Sequence, residues 1–268
     1  MASDTEEKER MEGNEWSFCE MWAAEKHDFG GSRALLNAKL AGDYFFNRAH
    51  VSDAKDVDKI ARLFWEKGMD CYLYYHHDDD DDDRPPALQR FPVADRMFVL
   101  KSVEGIGSAP GQAENNDGGS GGSNPLLRVV ADGDVDTWIE VFTESFDAAD
   151  WRQEVARIMT VAMARAGTTA AARLDLLTCY AGSEPAGCGA LFFKNGLAGL
   201  YCLGTIPRFR RRGVAGAILS AARQRSGAHH LLFLQTLESY NLLDYYKKAG
   251  FQVAYQKTIY RLEQPQSN

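Results

Sequence analysis

Two stretches of this 268-residue chain set chemically capable residues at short spacing. Near the C-terminus, Arg210-Arg211-Arg212-Gly213-Val214-Ala215-Gly216 places three guanidinium groups beside residues with little or no side chain. An apolar, strand-like segment (residues 200–206) precedes it, closed by Pro207, which brings no N–H to a ladder. Ala217-Ile218-Leu219-Ser220-Ala221-Ala222-Arg223 follows, rich in helix formers. A helix start leaves N–H groups unpaired and carries partial positive charge. Gly213, Ala215 and Gly216 let a bulky anion reach that backbone, and a diphosphate suits it. A solvated basic turn capped by glycine is the other reading of these residues. The spacing matches neither G-x-G-x-x-G nor the phosphate loop G-x-x-x-x-G-K-[ST]. The second stretch is His76-His77 followed by the aspartates at 78–83. A cation cage needs oxygens at varied angles, whereas a run of one charge repels itself and stays solvated. An acidic loop, with no metal, is the expectation.

The basic turn resembles a known signature. Arg210-x-x-Gly213-x-Ala215 is similar to the R/Q-x-x-G-x-G/A motif of the GNAT superfamily of acyl-CoA-dependent N-acyltransferases, and Pro207 matches the proline that often precedes it. Some thirty residues on, Tyr245-Tyr246-Lys247-Lys248-Ala249-Gly250-Phe251 resembles the family's second signature, an aromatic helix ending in G-F. The resemblance covers about residues 126–262. It implies an α/β (α+β) GNAT fold: a mixed, mostly antiparallel central sheet flanked by helices, preceded by a smaller, degenerate GNAT-like half as in tandem members.

The resemblance also implies roles. Leu203, Gly204 and Thr205 would pair through their backbone with the pantetheine arm of acetyl-CoA, Thr205 standing where valine is common. Arg210, Arg211, Arg212, Gly213, Val214, Ala215 and Gly216 would hold the diphosphate. Tyr246 matches the tyrosine that protonates the departing thiolate, and Ser239 stands where many members have an asparagine that touches the cofactor. An amine would attack the thioester directly, with no covalent enzyme intermediate. The 200–206 strand holds no carboxylate to act as base; Glu238 is the nearest in sequence. The alternative is a CoA-binding or regulatory protein of this fold that acts through protein interactions. The acceptor amine carries no motif.

The elements that position these residues follow from periodicity. Residues 1–12 read as a polar tail, and 15–40 as helix broken at Gly30-Gly31, with Ser32 capping its second part. Residues 43–49 read as a strand; Val57, Ile60, Ala61, Phe64 and Trp65 share a helical face that ends at Gly68. Residues 71–75 and 96–100 read as further strands. Gly, Ser, Asn and Pro fill 104–124, a flexible linker between a domain at 13–103 and a catalytic domain at 125–264. There the pattern is strand 126–130, helices 134–146 and 151–166, strands 174–180 and 186–193, and an Asn195-Gly196 hairpin turn. Tyr245 is expected in the core. A last strand spans 253–262.

Composition bounds the rest. A net charge of −8 argues against a general nucleic-acid binder. No apolar window approaches a membrane span, and the charged N-terminus is no signal peptide. Cys19, Cys71, Cys179, Cys188 and Cys202 show no C-x-x-C spacing and read as buried thiols in a reducing compartment. The expectation is a cytoplasmic protein, monomeric or homodimeric, bound to neither nucleic acid nor membrane.

Overall fold

The computed structural model describes residues 4–76, 86–103, 126–131, 133–166 and 172–263. The acidic run at 78–83 and the linker at 104–124 lie outside the described residues. In chain order the elements are α1 (Asp4–Trp22), β1 (Glu25–Asp28), β2 (Arg33–Leu36), β3 (Arg48–His50), α2 (Val57–Trp65), β4 (Cys71–His76), β5 (Val93–Ser102) and β6 (Leu127–Ala131). There follow α3 (Val135–Ser145), α4 (Arg152–Ala166), β7 (Ala172–Ala181), β8 (Glu184–Lys194), β9 (Leu197–Thr205), α5 (Val214–Ser226), β10 (Leu231–Leu237), α6 (Leu243–Lys248) and β11 (Phe251–Leu262). Among the described residues no helix is long and apolar enough to cross a membrane.

The chain forms two units. The larger holds residues up to Asn14, Leu100–Leu234 and Asp244–Gln252; the smaller holds Glu15–Val99, Gln235–Leu243 and the residues from Val253 onward. The last strand of the chain therefore groups with the N-terminal residues.

In the larger unit the strands run β10-β9-β8-β7-β6. The β6/β7, β7/β8 and β8/β9 pairs are antiparallel and β9/β10 is parallel, giving a mixed, mostly antiparallel sheet. Asn195 and Gly196, at φ 54° and 72°, make the β8–β9 turn expected of Asn-Gly, with positive φ at both positions. Glycines then let helices close on the sheet. A Cβ on Gly187 or Gly189 would lie 2.4 Å or 3.1 Å from Val214 or Ile218 of α5, and one on Gly204 would lie 2.7 Å from Ser145 Cβ of α3. Gly204 pairs with Cys188, the residue between the two β8 glycines. Because side chains alternate across a strand, α3 and α5 cover opposite faces. Trp138 fixes α3, its indole donating to Gly189 O at 2.9 Å, and Asp134 caps that helix as expected of its residue type. Each fully buried large apolar side chain here contributes about 1.5–3 kcal/mol.

In the smaller unit the order is β1-β2-β3-β4-β11-β5. β11 runs antiparallel to β4, from Lys257↔His76 to Leu262↔Cys71. The expected face of α2 is buried: Val57, Ile60, Ala61 and Phe64 pack with Leu73, Tyr260 and Leu262. Glu15, Arg48 and Lys257 form a buried ion cluster, with Arg48 donating to Glu15 at 2.5 Å and Lys257 donating to its other oxygen.

Three expectations are corrected. The polar tail is part of helix α1, held where Arg10 donates to Asn195 O at 2.6 Å and Lys101 pairs with Glu7. Residues 25–36 form a hairpin rather than helix. Gly30 and Gly31 turn it at φ 79° and 127°, and Ser32 accepts from Ser52 N instead of capping a helix. Residues 43–47 form a turn, because the Asp43 carboxylate accepts from Phe45 N and Phe46 N; only Arg48 and Ala49 of that stretch are extended.

Candidate functional site

β9 holds its register with β8 as far as Tyr201↔Ala190 and then shifts, so that Gly204 faces Cys188. Two residues of β9, Cys202 and Leu203, thus stand against one of β8, a β-bulge, and Cys202 takes φ 52° to make it. On its other edge β9 pairs with β10 only from Leu197↔Leu231 to Leu200↔Leu234. Among the described residues the ladder on that edge stops where the bulge begins. The segment 203–205, beyond that ladder, is placed to meet an incoming extended chain as a sheet edge does. Leu203 and Thr205 are half-buried and Gly204 is buried under α3.

The chain then turns sharply. Ile206 N donates to Ala186 O at 3.0 Å, and residues Pro207–Phe209 form one 3₁₀ turn with Phe209 buried. Arg210 bridges two carbonyls: its Nε donates to Thr205 O at 3.2 Å and its Nη2 to Ser145 O at 3.3 Å. Its guanidinium thus ties the end of α3 to the end of β9. Arg208 pairs with Glu144. Arg211, at φ 62°, and Arg212 are exposed and have no carboxylate partner among the described residues. Gly213 stands at the N-cap of α5 with φ 84°, a conformation that favours glycine. No side chain caps the helix, whose first backbone bond runs from Ala217 N to Gly213 O at 2.9 Å. The amides of Val214, Ala215 and Gly216 precede that bond, beside the guanidinium groups of Arg211 and of Arg212, the latter lying over the Phe209 ring. Such an end attracts a polyanion. Val214 is buried against Gly187, while Ala215 and Gly216 are half-buried.

Tyr246 lies on α6 of the same unit, 6% exposed, its ring 6.3 Å from Phe251 and edge-on to it. Burial, with Tyr245 beside it, pushes its phenol well above the usual range, so it stays protonated near neutral pH. Tyr245 is the exposed member of the pair at 39%, not the core residue expected, because Tyr246 is the residue of the short helix that turns into the core. Among the described residues no hydrogen bond or ring contact joins Tyr246 to the β9–α5 surface. Ser239 groups with the smaller unit, where its hydroxyl donates to the Asp95 carboxylate at 2.5 Å. Glu238 pairs there with Arg96 at 3.6 Å.

The structure thus brings residues 203–216 into one strand–turn–helix surface. It adds Ser145 and Phe146, at the end of α3, which fill the space a Cβ on Gly204 would need. A glycine inside an apolar strand was the only sequence signal for them. Among the described residues no three His, Cys, Asp or Glu groups converge on a point that would hold a metal.

Comparison with known proteins is consistent with this geometry. The model of the acetyltransferase (GNAT) family matches residues 136–251. A GCN5-related N-acetyltransferase from Kribbella flavida superposes with a TM-score of 0.52 at 13% identity, over 96% of this chain and 95% of that one. A putative GNAT-family acetyltransferase from Novosphingobium aromaticivorans gives 0.52 at 15%, over 92% and 96%. A tandem GNAT protein from the clavulanic acid biosynthesis pathway gives 0.55 at 11%, over 92% and 86%. At these identities the likeness is one of fold. No curated protein matches the sequence.

Proposed function

We propose that this chain, which carries an acetyltransferase (GNAT) family domain over residues 136–251, transfers an acetyl group from acetyl-CoA to an amine. One observation carries the reading: among the described residues β9 pairs with β10 only as far as Leu200, and its end at 203–205 leads directly into the uncapped, arginine-flanked start of α5. A pantetheine arm carries amides that can pair with the first, and its diphosphate suits the second. The reaction is assigned to residues 125–264, with 13–103 as the degenerate companion half, in a cytoplasmic monomer or homodimer.

In this reading the amine nitrogen attacks the thioester carbon, and a new C–N bond forms. A backbone N–H of 203–205 stabilises the oxyanion. As the C–S bond breaks, Tyr246 gives its phenolic proton to the thiolate and recovers one from the attacking ammonium through solvent. A phenol held protonated is the state such a donor needs.

Turnover measured as CoA thiol release over a panel of small amines tests this. Wild type is expected to turn over at least one amine. Tyr246→Phe is expected to lower kcat by roughly 10²-fold or more, within the usual span for acid–base catalysis, with affinity for acetyl-CoA unchanged. Equal turnover by the variant removes Tyr246 from the chemistry. No turnover by wild type, with acetyl-CoA bound, favours a CoA-binding regulator over an enzyme.

A further inference from the structure

Three tyrosines and two carboxylates meet within the smaller unit. The rings of Tyr44 and Tyr72 lie 5.2 Å apart, tilted by 43°. Tyr240, at the end of the short turn Glu238–Tyr240, is 58% exposed and hydrogen-bonded through its hydroxyl to Tyr44. The group is held in place. The Tyr74 hydroxyl donates to Tyr44 O at 2.8 Å, and Tyr44 and Tyr72 pack on the buried cluster of Tyr74, Met97, Leu237 and Ile259. Asp95 fixes the turn that presents Tyr240, accepting from Ser239 N at 3.3 Å and from the Ser239 hydroxyl.

The charges that act on Tyr44 and Tyr240 are one-sided, those of Asp95 and Asp43, while Tyr72 also feels Arg261. Among the described residues Asp95 has no ion-pair partner, whereas Asp43, its carboxyl raised by burial, accepts from Phe45 N and Phe46 N and feels the Arg48 guanidinium. The cations of the surrounding elements are committed elsewhere: Arg96 to Glu238, Arg48 to Glu15 and Arg261 to Asp70. Burial raises the phenols of Tyr44, Tyr72 and Tyr240; Asp95 and Asp43 raise those of Tyr44 and Tyr240 further. The rings therefore stay neutral and keep their electron-rich faces at physiological pH.

We infer that Tyr44, Tyr72 and Tyr240, with Asp95, form a binding site for an organic ammonium cation. Aromatic faces attract a cation whose charge is spread over alkyl groups, and such an ion loses little hydration on leaving water. A carboxylate alone would favour any cation, and rings alone any apolar group; together they select a charged, alkylated nitrogen. The metal-cage alternative lacks three converging ligands among the described residues. Binding at this site is independent of acyl transfer.

Calorimetry on the full chain with tetramethylammonium chloride tests the inference, alongside tyrosine difference absorbance. Saturable millimolar binding with a tyrosine signal is expected, weakened about 2- to 30-fold by Tyr240→Ala, the span of ring–cation contributions. Asp95→Asn, which keeps the shape of the Ser239 contact, is expected to weaken it to a similar degree. Tyr240 is exposed, so its variant should fold; circular dichroism checks both. Three results overturn the site: no saturation, binding untouched by both variants, or the same response to sodium chloride or neutral tert-butanol.

Discussion

Burial decides the chemistry of individual side chains in the larger unit. Cys188 lies under α3, and burial pushes its thiol from 9.0 up to about 12, while Cys202 at the bulge is half-exposed. In the smaller unit Cys19 is raised to about 12 by the same cause. At pH 8, therefore, iodoacetamide should label Cys202 first and leave Cys19 and Cys188 unlabelled until the chain unfolds, as read by peptide mass spectrometry. Early labelling of Cys188 would contradict its placement. The sign of the stability effect follows from linkage: a raised pKa means that the fold favours the protonated thiol. That stability is present in full below pH 9.0, the unfolded value, and is lost as pH climbs towards about 12. Tyr246 belongs to the same class, so a kcat profile should show no limb from its deprotonation below about pH 10.

At the scale of elements, the close approach of α3 to β9 rests on Gly204. Gly204→Ala places a Cβ 2.7 Å from Ser145 Cβ and 2.8 Å from the Phe146 ring, and overpacking of this kind costs about 1–3 kcal/mol. Urea denaturation should show that loss; unchanged stability would mean that α3 sits further from the strand. The strand–turn–helix of 203–216 was legible in sequence because it is local: proline, arginines and glycine set it within a dozen residues. Its most consequential feature was not legible. The bulge at Cys202 and the end of the β10 ladder at Leu200 arise from pairing with strands that no local pattern reveals. The β1–β2 hairpin was missed for a different reason. Glu25-Lys26-His27-Asp28 buries no face, so no alternation marks it as a strand. The start of α1 escaped because residues 7 and 10 are fixed by partners at 101 and 195.

Over the whole molecule, the order of the chain and the order of its units differ. β11, the last strand, completes the smaller unit through β4, and its Lys257 reaches the Glu15–Arg48 pair. Arg48 and Lys257 are both buried, so Glu15→Ala would leave two cations without their anion, a loss of about 3–5 kcal/mol. Thermal unfolding should register it, with Glu15→Gln costing less because it keeps hydrogen-bond acceptors. An unaffected Tm for Glu15→Ala would show that the cluster is hydrated. The linker at 104–124 was read in sequence as the divider of the chain, but the return of residues 235–243 and 253–263 to the smaller unit has no local signal, since strand partners are not written in a strand.

The central claim is that the β9 edge and the start of α5 bind acyl-CoA, and calorimetry with acetyl-CoA tests it most directly. Wild type should bind in the micromolar range. Ala215→Glu, which sets a carboxylate among the first amides of α5, and Gly213→Glu, which adds strain at φ 84°, should each weaken binding at least about tenfold with the fold intact by circular dichroism. Absence of binding by wild type, or unchanged affinity in both variants, would contradict the account.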